Sequence, residues 1–345
     1  MKILFDIGHP ANVHYFRNLI KWVAQEGHKY LVLARDKDVT LQLLKECQIP
    51  FVNKGKGGVA YVDRLIYSIK SLFKINKAVR EFKPDICISH ASPYLAVIAS
   101  LRGLNHIMFN DTERAMLFKH IVKYCKPNVF SPDSFIDKDH YNLETFPSYM
   151  ELAYLHPEIY SVNDNSDLVE KLGKDFILLR FVANKAAHDM RTEYISDDFK
   201  RELVQKFREY GNVWITSESR LPDDLLKFKL NVAPSEIHKV IASAMLLVGD
   251  SATMSSEAAM LGVPSIFINQ NKLGYITELE EKYGLVQHFM PDHKGCKKAM
   301  EASVAILEND NRKDLYQKRR GVMLKEKINL TDYMIQVVKK YEEQE

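Results

Sequence analysis

Much of what would mark a protein class is missing from this 345-residue chain. Nowhere do about eighteen apolar residues run together, so no membrane-spanning helix is expected. The opening Met1-Lys2-Ile3-Leu4-Phe5 is interrupted by Asp6, which does not suit the apolar core of a secretory leader. Cysteine is sparse: Cys47, Cys87, Cys125 and Cys296 show no C-x-x-C spacing and read as reduced thiols of a cytoplasmic protein. Neither charge sign dominates, since 48 Lys and Arg against 45 Asp and Glu leave +3, too little to call for a nucleic-acid partner. There is no Walker P-loop, no G-x-S-x-G elbow, no H-E-x-x-H pair and no G-x-G-x-x-G after the first strand. The D-x-D spellings at Asp36-Lys37-Asp38 and Asp137-Lys138-Asp139 are common by chance, and the first is placed to cap the next helix. No metal site and no resident cofactor are expected.

What is present is an ordinary globular composition, 46% hydrophobic and 27% charged, in a chain longer than one core usually organises. Short apolar runs alternate with helical patterns, which predicts parallel, helix-covered sheets in two domains. Strands are expected over 3–6, 30–34, 86–89, 106–109 and 129–130, and then over 176–181, 213–216, 245–248, 265–268 and 286–289. Helices are expected over 13–25, 40–47, 65–82, 94–102 and 113–124, and then over 198–210, 234–243, 255–261, 276–283 and 297–307. The polar stretch Asn163-Asp164-Asn165-Ser166 suits a hinge, giving a first domain over 1–163 and a second over 164–325. Residues 326–345 read as a helical segment.

The most informative stretch is Gly249 to Ile266, GDSATMSSEAAMLGVPSI. It predicts a buried strand, a turn of small residues, and a helix that stops at Gly262 with Pro264 just beyond. Ser251, Thr253 or Ser255 is suited to cap that helix. A small-residue turn at a helix N-terminus offers N–H groups and the positive end of the helix dipole, which suits a phosphate. Glu257, in the first turns, is suited to a ribose diol. The alternative is a capped helix with no ligand.

In doubly wound sheets ligands sit beyond the carboxyl ends of the strands, so the loops after each strand come next. After the first strand, Gly8 permits a turn, Asn12 can cap a helix, and His9 and His14 could contact an acceptor or sugar phosphate, or act as a base. The alternative for either histidine is a structural hydrogen bond. Asn110-Asp111-Thr112-Glu113-Arg114 follows another strand and offers Asp111 or Glu113 as general base or acceptor-binding group; the bland reading is a helix cap. His90 follows the strand expected over 86–89 and would face the same cleft. Phe181-Val182-Ala183-Asn184-Lys185-Ala186-Ala187-His188-Asp189 follows the first strand of the second domain.

Between Lys54 and Lys83 stand eight Lys or Arg and two Asp or Glu, interleaved with Tyr61, Leu65, Ile66, Tyr67, Ile69, Leu72, Phe73 and Ile75. A basic amphipathic helix of this kind suits the anionic inner face of a cell membrane. A helix that covers the sheet and turns a basic face to water is the plainer reading.

The Gly249 segment resembles the nucleotide-sugar signature of GT-B glycosyltransferases and of the non-hydrolysing UDP-N-acetylglucosamine 2-epimerases. In those families a Glu that holds the ribose is followed by a small-residue helix and a G-x-P turn. Asp250, Ser251, Glu257 and Gly262-Val263-Pro264 fall at matching places, while Ala252 and Thr253 replace two glycines of the epimerase pattern. With the opening MKILFDIGHPANVHYFRNL, LARDKDVT and RFVANKAAHD, the chain is similar over nearly its full length to the DUF354 family. Asn12 stands where relatives usually carry a histidine. The resemblance implies an α/β, GT-B-like fold of two Rossmann-like doubly wound domains facing a central cleft, with the C-terminal helix returning to the first domain. It implies a metal-independent glycosyltransferase using a nucleotide-diphosphate sugar, UDP-linked, in cell-surface polysaccharide or glycolipid synthesis, with a sugar or lipid-linked acceptor. The alternatives are a nucleotide-sugar 2-epimerase and a non-catalytic nucleotide-sugar-binding protein. Arg180, Lys185 and His188 would then lie near the diphosphate, with Ser251, Ala252, Thr253 and Glu257 on the nucleotide. Gly8, His9, Asn12 and His90 would line the substrate, and His14, Asp111 or Glu113 would supply the base.

Overall fold

An apolar run with one acid near its end, Lys2–Ile7, forms β1, and every residue after Lys2 is buried. A strand buried on both faces belongs at the centre of a helix-covered parallel sheet. The computed structural model, which describes residues 1–58, 60–113, 117–136, 143–161, 166–182 and 195–343, places β1 there. The chain divides into two compact units, Met1–His156 with Ile328–Glu345, and Pro157–Lys327.

In the first unit β1 is followed by α1 (Pro10–Gln25), β2 (Lys29–Asp36), α2 (Thr40–Glu46), β3 (Val52–Lys56), α3 (Tyr61–Phe82) and β4 (Ile86–His90). Then come α4 (Pro93–Arg102), β5 (Asn105–Phe109), α5 (Phe118–Cys125), β6 (Asn128–Pro132), β7 (Glu144–Phe146) and α6 (Leu152–Leu155). The sheet order is β3-β2-β1-β4-β5-β6-β7 and each pairing is parallel. Alternation along β1 sorts the two cores. Leu4 packs with Leu33, Ile75, Val79 and Leu95 on the side of α3 and α4, whereas Phe5 meets Phe16 of α1.

The second unit runs α7 (Ser166–Leu172), β8 (Phe176–Phe181), α8 (Asp197–Phe207), β9 (Asn212–Ser217) and α9 (Ile237–Ser243). It continues with β10 (Leu246–Gly249), α10 (Ala252–Leu261), β11 (Ser265–Ile268), α11 (Gly274–Glu281), β12 (Val286–Phe289), α12 (His293–Leu307) and α13 (Arg312–Glu326). Its five strands, again all parallel, lie in the order β12-β11-β10-β8-β9. The last helix, α14 (Leu330–Glu342), belongs to the first unit, where Tyr333 packs on Phe130 and Phe146.

Several helix starts differ from expectation for local reasons. Pro10 supplies a first helical residue whose missing N–H costs nothing, so α1 begins three residues before Val13. His9, not Asn12, caps it: His9 Nδ1 accepts from Ala11 N at 3.2 Å, while Asn12 Oδ1 accepts from Gly8 N at 3.2 Å. The helix expected from Glu113 starts at Phe118, so neither Asp111 nor Thr112 caps it. Neither Asp36 nor Asp38 caps α2, whose N-cap is Val39. Helix α10 begins at Ala252 instead of Ser255, because Ser251 Oγ accepts from Met254 N at 3.4 Å.

One glycine governs how closely β10 meets β8. A Cβ on Gly249 would stand 2.0 Å from the Arg180 carbonyl oxygen, a backbone atom fixed in the sheet. Gly249→Ala is therefore expected to lower stability by about 1–3 kcal/mol, the usual cost of forcing volume into a packed core. Urea unfolding should show a lower midpoint at unchanged slope; a midpoint equal to that of the parent would show that β10 can move away freely.

Candidate functional site

Both sheets are wound in two directions from an internal point. The reversal lies between β1 and β4 in the first unit and between β8 and β10 in the second. At such a point the outgoing loops diverge and leave a crevice beyond the carboxyl ends of the strands. The loops after these four strands hold most of the residues singled out above.

In the second unit Asp250 binds the crevice together. Its Oδ1 accepts from Val182 N at 2.7 Å, its own N–H donates to the Arg180 carbonyl at 3.2 Å, and its carbonyl accepts from Asn269 Nδ2 at 3.2 Å. The carboxyl is pushed up to about 6 by burial, against the opposing pull of the Val182 N–H and Arg180. Ser251, Ala252 and Thr253 are half-buried at the start of α10. By the geometry of any helix start, the N–H groups of Ala252 and Thr253 lie outside the i→i−4 ladder. Glu257 is buried, its Oε1 3.0 Å from His238 Nε2 on α9, so this carboxylate faces a neighbouring helix. Arg180 is ion-paired with Glu218. Lys185 and His188 lie outside the described residues, as do Arg114, the Asp137–Asp139 spelling and most of the expected hinge.

In the first unit Gly8 and His9 leave β1, and because His9 Nδ1 accepts a backbone N–H, the neutral ring carries its proton on Nε2. His14 is buried, stacked on Tyr154 at 5.2 Å with Arg17 Nη1 3.4 Å from its Nδ1. His90, at the end of β4, is in contact with Tyr15 (ring centroids 5.2 Å) and has its Nε2 2.9 Å from Asp111 Oδ1. Burial alone would raise the Asp111 carboxyl, but the charge and hydrogen bond of His90, with a bond from Thr112 Oγ1 at 3.0 Å, hold it below the usual carboxylate range. Glu113 Oε1 accepts from Ile136 N at 3.3 Å. The structure thus joins His90 to Asp111 directly and sets Glu113 on a different partner.

Sequence reasoning passed over the group beneath this loop. Asp6 of β1 is buried and ion-paired with buried Lys54 of β3, and its Oδ2 accepts from Ser92 Oγ, the cap of α4, at 2.5 Å. An acid inside an otherwise apolar strand was the available signal for Asp6; nothing in Val52–Lys56 marks Lys54. His238 and Tyr154 carried no signal either, since their partners are distant in sequence.

A family model described as a protein of unknown function, DUF354, matches residues 1–343. An uncharacterized protein of Methanocaldococcus jannaschii is 22% identical over 284 residues, covering 77% of this chain and 81% of that protein. Among solved structures, the UDP-GlcNAc 2-epimerase of Methanocaldococcus jannaschii in complex with UDP-GlcNAc and UDP superposes with TM-score 0.68 at 15% identity, covering 93% of this chain and 99% of that one. A spinosyn rhamnosyltransferase complexed with thymidine diphosphate gives TM-score 0.64 at 11% identity, covering 98% of this chain and 100% of the other. These likenesses establish the fold: α/β, GT-B-like, built of two Rossmann-like units.

The Asp250 carboxyl makes a pH test. Its folded value, about 6, lies above the ordinary 3.8. Between those two values the folded state holds the proton more tightly, so stability falls as pH rises through this window. Relative to Asp250→Asn, the parent should gain about 2 kcal/mol between pH 7.5 and pH 4.5. Denaturant titrations at both pH values check this, and a difference that does not change with pH would contradict it.

Proposed function

This chain belongs to the DUF354 family, and we propose that it is a metal-independent GT-B-like glycosyltransferase that uses a nucleotide-diphosphate sugar, UDP-linked, in cell-surface polysaccharide or glycolipid synthesis. The observation that carries the reading is the start of α10. It opens at the switch point of the second sheet, is half-buried at Ser251, Ala252 and Thr253, and points N–H groups outward where a diphosphate would be held. A ribose reaching Glu257 would meet a carboxylate already oriented by His238. The reading places Lys185 and His188 near the diphosphate, and Arg180 there also once it exchanges Glu218 for phosphate.

On this reading the first unit supplies the acceptor site. His90 is assigned as the base, because its ring is the more accessible one: its side chain is 14% exposed, whereas His14 is packed under Tyr154. Asp111, held ionised, can only accept, so His90 Nε2 donates to it and Nδ1 is left to take a proton. The acceptor hydroxyl gives its proton to Nδ1 and its oxygen bonds to the anomeric carbon. The bond from that carbon to the diphosphate breaks, and the electron pair leaves with the nucleotide. The positive end of α10 stabilises the charge that develops. His9, Asn12, Gly8 and Glu113 remain candidates for contacts to the acceptor.

A 2-epimerase is the second reading, favoured by the His90–Asp111 pair, since expelling and re-adding UDP requires acid and base groups around the sugar. Only an epimerase alters its sugar nucleotide when no acceptor is present.

The test is a thermal-shift series with UDP, GDP, CDP, ADP and dTDP on the parent and on Thr253→Glu. Saturation at a hundred times Kd stabilises by about 2.7 kcal/mol, seen as a rise of several degrees in Tm. An added carboxylate at a helix start favours the helix but repels a diphosphate. The variant should therefore match the parent in Tm without ligand and lose the shift. No shift in the parent with any of the five would refute both readings; a shift followed by NMR of the matching sugar nucleotide without acceptor separates them.

A further inference from the structure

Helix α3 is apolar on two opposite sides. Tyr67, Ser71, Ile75 and Val79, four residues apart, are buried toward the sheet and α4. At 100° per residue the other stripe, Val62, Leu65, Ile66, Ile69 and Phe73, lies on the far side and spans about 17 Å. These five are 62%, 52%, 44%, 48% and 72% exposed. The helix thus covers the sheet, and its solvated side carries this apolar stripe beside the exposed cations Lys70, Lys74, Lys77 and Arg80. Two exposed residues of the adjoining α4, Val97 and Leu101, add to the apolar surface of this side of the sheet. An apolar stripe of this length turned to water marks an interaction surface.

Its charge identifies the partner. At the same 100° per residue, exposed Lys70 and Lys77 flank the stripe and exposed Arg80 continues it beyond Phe73, with Lys77 loosely paired with Glu81 at 3.7 Å; Lys74 donates to the carbonyls of Asn53 and Lys54. The acids here are Asp63 and Glu81 alone. A second copy meeting this face through a two-fold axis would bring the same cations against an equally basic surface. A bilayer with anionic headgroups accepts both features, apolar side chains among the acyl chains and cations at the phosphates. No helix among the described residues is long and apolar enough to cross a membrane, so such an attachment is peripheral.

We propose that the Val62–Phe73 face of α3 docks this protein on an anionic lipid bilayer. The face lies in the half of α3 that follows β3, at the sheet edge that also carries His9, His90 and Asp111. Docking would hold that edge near the lipid surface. This inference does not depend on the nucleotide reading, because its ligand is the bilayer.

The experiment is flotation of the full chain with phosphatidylcholine vesicles, with and without roughly 30% phosphatidylglycerol, at low and high salt. The parent should float with the anionic vesicles at low salt, and high salt should weaken this. Ile69→Ser with Phe73→Ser should reduce the bound fraction at least tenfold, and Lys70→Glu with Arg80→Glu should remove the preference for anionic lipid. All four positions are exposed, so the variants should melt as the parent does. Failure to float, or flotation unchanged in the apolar variant, would overturn the proposal. So would concentration-dependent self-association of the parent, seen by sedimentation, that the apolar variant abolishes. The nucleotide-induced rise in Tm, measured on the same apolar variant, reports the nucleotide site separately from the bilayer face.

Discussion

Parallel strand pairing is the constraint on which everything else here rests. A parallel sheet must return each strand through a crossover, so all carboxyl ends lie along one edge and all following loops leave from it. In each unit that edge opens where the winding reverses. Residues as far apart in sequence as Gly8, His90 and Asp111 are thereby brought to one crevice edge, and Val182, Asp250 and Asn269 to another. The pairing places the loops, and hydrogen bonds between loops then fix the side chains.

Those bonds are made largely by buried charged groups. Asp6 holds Lys54 and Ser92, Asp111 holds His90, Asp250 holds the Val182 N–H, and Glu257 holds His238. A buried ion pair adds little to stability compared with an apolar pair of the same size, but losing one partner is costly. Such pairs fix geometry more than they add stability, as a site requires. The Asp250 carboxyl, pushed up to about 6, shows the cost of keeping an acid out of water with backbone partners instead of a cation.

Elements whose buried residues were apolar were legible in the sequence; those held by other means were not. The strands expected over 176–181, 265–268 and 286–289 coincide with β8, β11 and β12 because hydrophobic runs bounded by polar or turn-forming residues define them. Strand β3 was invisible: Val52-Asn53-Lys54-Gly55-Lys56 is polar, and its buried side chain is Lys54, which is there for Asp6. Strand β7 is three residues on a sheet edge, and α6 is a single turn of four residues, too short to show a period. For the candidate site, the loops could be read and the pairings could not. Ser251 as cap follows from residue type, whereas His238 on Glu257 needs the packing of α9 against α10. The amphipathic pattern of α3 was visible as composition, but which apolar residues faced the sheet depended on its seating.

The first unit is interrupted by the whole of the second, and α14 completes it by packing on α1 and α6. On the ribosome, then, the residues up to His156 emerge with part of their core uncovered, including the surface of Phe130 and Phe146 that Tyr333 later fills. The second unit is continuous in sequence and can fold as soon as it has emerged. The first must wait for Ile328 onward, so the order of synthesis is reversed in the order of completion. During that interval a chaperone has a defined target: the aromatic face of the first sheet before α14 arrives.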